Sequence, residues 1–524
     1  MSSSRSPSHV LSPQPFRPPP LAHPAFFALQ CKTTLAASHG RSGHLPGQLL
    51  IRIRPDALTS GASTATSLPS AVAGPLEFLR RIAGLKSVTP LFSRRADKVR
   101  TNVGADERHR RAILASVTDA PSDDLRGINL VELDPRVRPS SVARRLRDAA
   151  AIEFVEPVPR RRAAGRVVLD PGAITKSGRA RTRDDRDHRR HERDDRFRTR
   201  RAKLDPTGAP GRRSRVRAAF HDRRRPLAVV ADPRRNLQWG LRRIRWFDCG
   251  LPSAADVSVG VLDSGVDASH HDLASARIDL RCDGLKPADL LGHGTHVAGI
   301  ISGARNDEAG VCGVARCPLV MWKVFPDSPD RDGEFYVDAR RYLRALNDAI
   351  LSGVRILNLS IAGALSSKTE QLLFRRLESA GILAIAAMGN EFESGNPVQY
   401  PAAHSGVLAV GALAENNRRC TFSNTGDHLS LLAPGANILS TAPVEASPHF
   451  DDAEYAVWSG TSMSAAYVTA AAALLSAKHP DWAASDVRRR LCEPAAPLPE
   501  MSPHPWTPAH GAGCLNLSAA LTEP

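Results

Sequence analysis

The feature that most constrains this chain is a serine at the mouth of a helix. Gly460-Thr461-Ser462-Met463-Ser464 runs directly into Ala465-Ala466-Tyr467-Val468-Thr469-Ala470-Ala471-Ala472-Ala473-Leu474-Leu475, a stretch apolar enough to be buried. The amino terminus of a helix carries partial positive charge and free N–H groups. A serine there is placed to attack a carbonyl and to hold the oxyanion that forms. Serine is also a common helix cap, so this motif alone does not decide the matter.

Three further motifs do. Val257-Ser258-Val259-Gly260-Val261-Leu262 reads as a buried strand and ends in Asp263-Ser264-Gly265. Thirty residues on, Gly292-His293-Gly294-Thr295-His296-Val297-Ala298-Gly299 opens a second apolar helix with a glycine-flanked histidine. Between it and the serine, the strand Ile382-Leu383-Ala384-Ile385-Ala386-Ala387 ends at Met388-Gly389-Asn390. Seen singly, Asp263 and Asn390 are turn residues, His293 is a buried histidine and Ser462 a cap. Four coincidences in the order Asp, His, Asn, Ser are not credible as chance.

That order and these motifs resemble the subtilisin-like serine proteases, the subtilases, over roughly Asn236 to Ala520. The resemblance implies that Asp263 is the triad acid, His293 the base, Ser462 the nucleophile and Asn390 the oxyanion donor. The chemistry needs these types: a serine hydroxyl becomes nucleophilic when an imidazole takes its proton, and a carboxylate fixes that imidazole's tautomer. His296, one turn along, is read as packing or hydrogen bonding. Two positions depart from the family pattern, Ala466 and Tyr467, where a proline and a histidine are usual.

Short strands alternating with helical patterns argue for an α/β fold, a parallel sheet with helices on both faces. Arg355-Ile356-Leu357-Asn358-Leu359-Ser360 is another central strand. Asp263, Ser360 and Asn390 therefore fall at carboxyl ends of strands, where open α/β sheets place their sites. The resemblance implies that substrate backbone pairs with Ser360, Ile361, Ala362 and Gly363, and that the cleft is closed by Ala387, Met388 and Gly389 near Asn390. Met388 stands where the family has a small residue and is expected to narrow the primary pocket. No cofactor is needed for this chemistry. Structural calcium is common in the family, and Asp272 and Asp307 match positions that supply oxygen ligands.

Upstream, composition changes sharply. Residues 1–45 are rich in Ser, Pro and His and read as disordered; they offer no clear secretion signal, although the resemblance favours a secreted protein. Residues 46–159 carry strands at Leu45–Ile53 and Gly127–Leu133, a helix near Ser140–Ala150 and a strand Ile152–Pro157. This α+β pattern resembles a subtilase propeptide, which folds its enzyme and then occupies the cleft; an accessory domain is the alternative. Residues 160–235 form an Arg/Asp-rich linker before the catalytic domain, 236–524. Positions 160–225 alone hold 24 basic and 9 acidic residues, fifteen of the chain's net charge of +17. The basic balance thus belongs to this segment, which lacks apolar residues to bury. Cleavage within it, giving a mature start near 225–236, is expected.

Three readings are open. The first is a serine endopeptidase made as a zymogen. The second is a nucleic-acid-tethered protein, held through phosphates by the linker. The third is an inactive scaffold. No run is long enough to span a membrane. Seven of the eight cysteines lie in the catalytic region, enough for three bridges. An acidic loop, Asp327–Glu334, and Glu391 suggest a preference for cationic peptides.

Overall fold

Runs such as Val259–Leu262 and Leu383–Ala387 are apolar on both faces, a pattern that only a strand covered on both sides satisfies. The computed structural model, which describes residues 43–54, 84–92, 125, 127–164, 232, 234–250, 252–305, 310–330, 334–444 and 454–522, places them in one seven-stranded sheet. Its strands are β6 (Val259–Asp263), β7 (Ile278–Arg281), β8 (Leu319–Lys323), β9 (Ile356–Leu359), β11 (Leu383–Ala387), β12 (Val407–Leu413) and β13 (Leu429–Pro434). They lie in the order β13-β12-β11-β9-β6-β8-β7, and every pairing is parallel.

Alternate residues serve opposite cores. Leu383, Ile385 and Ala387 face the core of helices α2 (His293–Ser302) and α5 (Thr461–Lys478). Ala384, Ala386 and Met388 face the core of α3 (Ala339–Leu351) and α4 (Lys368–Ser379). The helix α5 is buried along nearly its whole length and runs unbroken through Ala466, where a proline would have removed a backbone donor. Tyr467 fits because its hydroxyl occupies the space that a side chain on Gly240 would fill.

Ahead of this sheet, β1 (His44–Ile53), β2 (Ser87–Pro90), β3 (Ile128–Glu132) and β4 (Ile152–Pro159) form an antiparallel sheet in the order β2-β3-β1-β4, with α1 (Pro139–Leu146) packed on it. The β…β-α-β pattern expected here gains one strand, β2, whose Ser87-Val88-Thr89-Pro90 is too short to stand out in the sequence. The chain continues from β4 into β5 (Arg162–Ala163), which pairs antiparallel with β10 (Ile361–Ala362). The described chain thus includes Arg160–Ala164, past the expected start of the linker at 160. The rest of that linker, residues 165–230, together with 1–42, Asp307 and Asp332, lies outside the described residues.

Among the described residues no helix is long and apolar enough to cross a membrane. The seven cysteines Cys249, Cys282, Cys312, Cys317, Cys420, Cys492 and Cys514 are all free thiols, so the bridges that the count allowed are not formed.

Candidate active site

Each candidate sits where a strand ends or a helix begins. Asp263 closes β6, His293 opens α2, Asn390 follows β11, and Ser462 is the second residue of α5. The parallel order brings these ends to one edge. Asp263 Oδ1 lies 2.7 Å from His293 Nδ1, and both side chains are buried. The same oxygen accepts from the Ser264 amide at 2.7 Å. His293 is therefore oriented by a fixed carboxylate. Burial favours its neutral ring, but the Asp263 charge and hydrogen bond, with Asp289 behind them, outweigh this and raise its pKa above 6.5. Its Nε2 is buried and has no hydrogen-bond partner among the described residues. The Ser462 hydroxyl donates instead to the Ser360 carbonyl, at 3.1 Å.

His296 lies flat against Trp458, ring centroids 4.8 Å apart, with Nε2 between the Ile438 and Ala456 carbonyls. Burial pushes its pKa down to about 3, so it is a neutral packing residue.

Asp289, which motif reading missed, holds the histidine helix. Its Oδ1 accepts from the Gly292 amide and the Ser264 hydroxyl; its Oδ2 accepts from the Thr295 amide and hydroxyl. A buried carboxylate at the amino terminus of α2 satisfies donors that the helix itself leaves unpaired.

Residues 160–164 lie in the cleft. The Ala164 amide donates to Ser360 O at 2.9 Å, and Arg162 and Ala163 pair with Ala362 and Ile361. On the other side Val337 N donates to Arg161 O at 2.8 Å. The second wall of the strand-binding cleft is therefore near Val337, and the segment 387–390 serves the end of the strand. There the Ala164 carbonyl accepts from Asn390 Nδ2 at 2.6 Å and from Ser462 N at 3.1 Å. Asn390 cannot turn, because its Oδ1 accepts both from the Thr461 amide, at 3.0 Å, and from the Thr461 hydroxyl, at 2.9 Å. Gly389 N donates to that same hydroxyl. Gly363 is required: a Cβ there would collide with Arg160 O. Ala387 and Met388 are fully buried, and Met388 packs within the core.

In the acidic loop, the carboxylates of Asp327 and Asp330 have partners within or beside the loop. Asp327 pairs with the buried Lys323 at 2.8 Å, and Asp330 accepts from the Glu334 amide. Glu391 meets the strand at Arg162, two residues before Ala164, whose carbonyl lies on the Asn390 and Ser462 amides.

Among the described residues, Asp272 is not surrounded by the oxygens calcium takes, although its Oδ1 is buried and has no hydrogen-bond partner there. One oxygen of its carboxylate accepts from Val311 N, and the Tyr455 hydroxyl lies beside it. A guanidinium, Arg234, covers the Tyr455 ring at 4.2 Å. His270 and His271 adjoin Asp272, but both His270 nitrogens are engaged, one with the Asp272 amide and one with Glu454 O. Calcium takes six to eight oxygens; the described residues here bring nitrogen ligands and a cation.

The subtilase family model matches residues 254–513. Subtilisin from Bacillus pumilus is 34% identical over 272 residues, covering 51% of this chain and 92% of that protein. Subtilisin E from Bacillus subtilis is 34% identical over 273 residues, and the match spans 66% of its length, just under two thirds. Among solved structures, fervidolysin from Fervidobacterium pennivorans, described as a keratinolytic enzyme related to subtilisin, superposes with a TM-score of 0.62 at 22% identity, over 93% of this chain and 62% of its own. By sequence and by fold, this chain belongs to the subtilase family of serine proteases.

Proposed function

We propose that the protein is a serine endopeptidase acting through an acyl-enzyme on Ser462, and that residues 43–164 are its own propeptide, bound in the cleft. The observation that carries this reading is the Ala164 carbonyl, held by the Asn390 side-chain amide and the Ser462 backbone amide at the end of an extended strand. Those two donors converge on the point where a scissile carbonyl becomes an oxyanion.

On this reading His293 Nε2 takes the Ser462 hydroxyl proton as Oγ adds to the carbonyl carbon. The negative charge that forms on oxygen rests on the Asn390 and Ser462 donors. When the C–N bond breaks, the leaving amine takes the proton from His293, and water then releases the acyl group by the same path in reverse. Asp263 stays ionised and keeps the imidazolium oriented. Strand pairing with Ile361 and Ala362 binds peptide through its backbone, which suits an enzyme that cuts within chains.

The position of Ala164 also moves the expected maturation cut upstream, from residues 225–236 to the bond after Ala164. The test is the intact mass of the full chain. Active protein is expected to release a fragment ending at Ala164 and to label with a fluorophosphonate; Ser462→Ala is expected to remain folded, uncut and unlabelled. A wild-type chain that neither labels nor cleaves any peptide would sink the assignment.

A further inference from the structure

The strand in the cleft begins with three consecutive arginines, and the cleft receives them unequally. Arg160 lies over the Tyr336 ring, 4.7 Å from its centroid, and donates to the Tyr336 hydroxyl. Arg162 reaches Glu391, but its side chain is 42% exposed, and a rim pair of this kind discriminates weakly. Arg161 is different. Its side chain is 2% exposed and its partner Glu370 3% exposed, with Nη2 2.8 Å from Glu370 Oε2. The same nitrogen donates to Leu365 O at 2.7 Å.

Glu370 is built into the enzyme side of the cleft. His404 Nε2 meets its Oε2 at 2.9 Å, and the His404 ring packs against Phe374 and Tyr400. Burial pushes the carboxyl up, but Arg161 and His404 outweigh it and hold the group ionised, below 4.5. An arginine side chain places a cation and several donors in this pocket. A leucine there would leave a buried carboxylate with His404 alone, and removing one partner of a buried charge pair is strongly unfavourable.

We infer that this peptidase selects substrates with arginine at the fourth position before the cut, and that Glu370 is the residue that determines the choice. The inference rests on the reading of Ser462 as nucleophile and Ala164 as the residue preceding the cut. It makes the favoured substrate a basic peptide with small residues at the two positions before the scissile bond, the pattern Arg-Arg-Ala-Ala.

The test uses enzyme matured from the full chain and three chromogenic peptides, Arg-Arg-Ala-Ala, Lys-Arg-Ala-Ala and Leu-Arg-Ala-Ala, each as an anilide. Arginine is expected to exceed leucine in kcat/KM by about 30-fold or more, the range for disrupting a buried charge pair across an interface. Lysine should fall between them, since it brings a point charge without the planar fork. In Glu370→Gln the ratio of arginine to leucine should shrink to about threefold or less. Wild-type enzyme that labels with fluorophosphonate yet cuts all three peptides equally overturns the inference and leaves the peptidase intact. Enzyme that neither labels nor cuts overturns the underlying reading instead. A Glu370→Gln enzyme that keeps the full ratio removes Glu370 from the role; should that variant fail to fold, the wild-type series alone decides the preference.

Discussion

Replacing Asp289 by asparagine changes one atom's chemistry and almost no volume, and the hydrogen bonds around that atom set the cost. Four donors converge on two carboxylate oxygens: Gly292 N at 2.9 Å and Ser264 Oγ at 2.8 Å on one, Thr295 N at 2.8 Å and Thr295 Oγ1 at 2.7 Å on the other. An amide keeps only one oxygen. With its nitrogen toward Thr295 it faces a backbone N–H, and with its nitrogen toward Gly292 it faces another. Either way a buried donor loses its acceptor, which costs about 1–3 kcal/mol. Loss of the negative charge at the amino terminus of α2 adds about 1 kcal/mol. A total of about 2–4 kcal/mol corresponds to a fall in Tm of about 4–8 °C for a domain of about 290 residues, at about 2 °C per kcal/mol. Scanning calorimetry of the full chain in a Ser462→Ala background, which prevents self-cleavage, measures it. The substitution also acts on His293, whose raised pKa owes part to Asp289. With His293 as the base proposed above, catalysis needs the neutral ring, so wild-type activity is expected to fall as pH drops through a value above 6.5, and Asp289→Asn should move that acid limb to lower pH. A Tm within about 2 °C of the parent, together with an unmoved limb, would refute the argument that this carboxylate holds the histidine helix.

Two further outcomes are expected. Glu156 of the N-terminal sheet caps α4, accepting from Lys368 N and from the Ser367 and Thr369 hydroxyls; Glu156→Ala removes about 1–2 kcal/mol of docking and should shorten the lag before peptide hydrolysis begins about tenfold, with an unchanged lag counting against the docking role. Chelation by EDTA should shift the Tm by no more than about 2 °C, because the described groups around Asp272 bring nitrogens and a guanidinium where calcium takes oxygens; a fall several times larger would reveal a bound divalent cation that these residues do not account for.

The parts of the site legible in the sequence were those carried by contiguous motifs. Asp263, His293, Asn390 and Ser462 each stand at an element end announced by its own flanking residues, and the strands β6, β9 and β11 appear as apolar runs ending there. Glu370 was hidden by a local pattern with an ordinary meaning. Ser367-Lys368-Thr369-Glu370 reads as a capping box, and Ser367 Oγ does accept from the Glu370 amide. The Glu370 carboxylate, however, turns to Arg161, 209 residues earlier in the chain, a partner no window of sequence contains. Asp327 opens an acidic stretch that suggested a cleft, and its own partner is Lys323, four residues earlier in sequence. The missed wall at Val337 acts through its backbone amide, which carries no residue signature.

The bracket between Asn390 and Thr461 has a mechanical consequence. The turn that follows β11 and the residue just before Ser462 share three hydrogen bonds, counting the one from Gly389. The two donors that flank the Ala164 carbonyl therefore belong to one rigid body. Breathing of the sheet against α5 carries both together and leaves their spacing unchanged. Warming should weaken the grip on peptide ends long before it alters the alignment of these two donors, which persists until α5 itself parts from the strand ends.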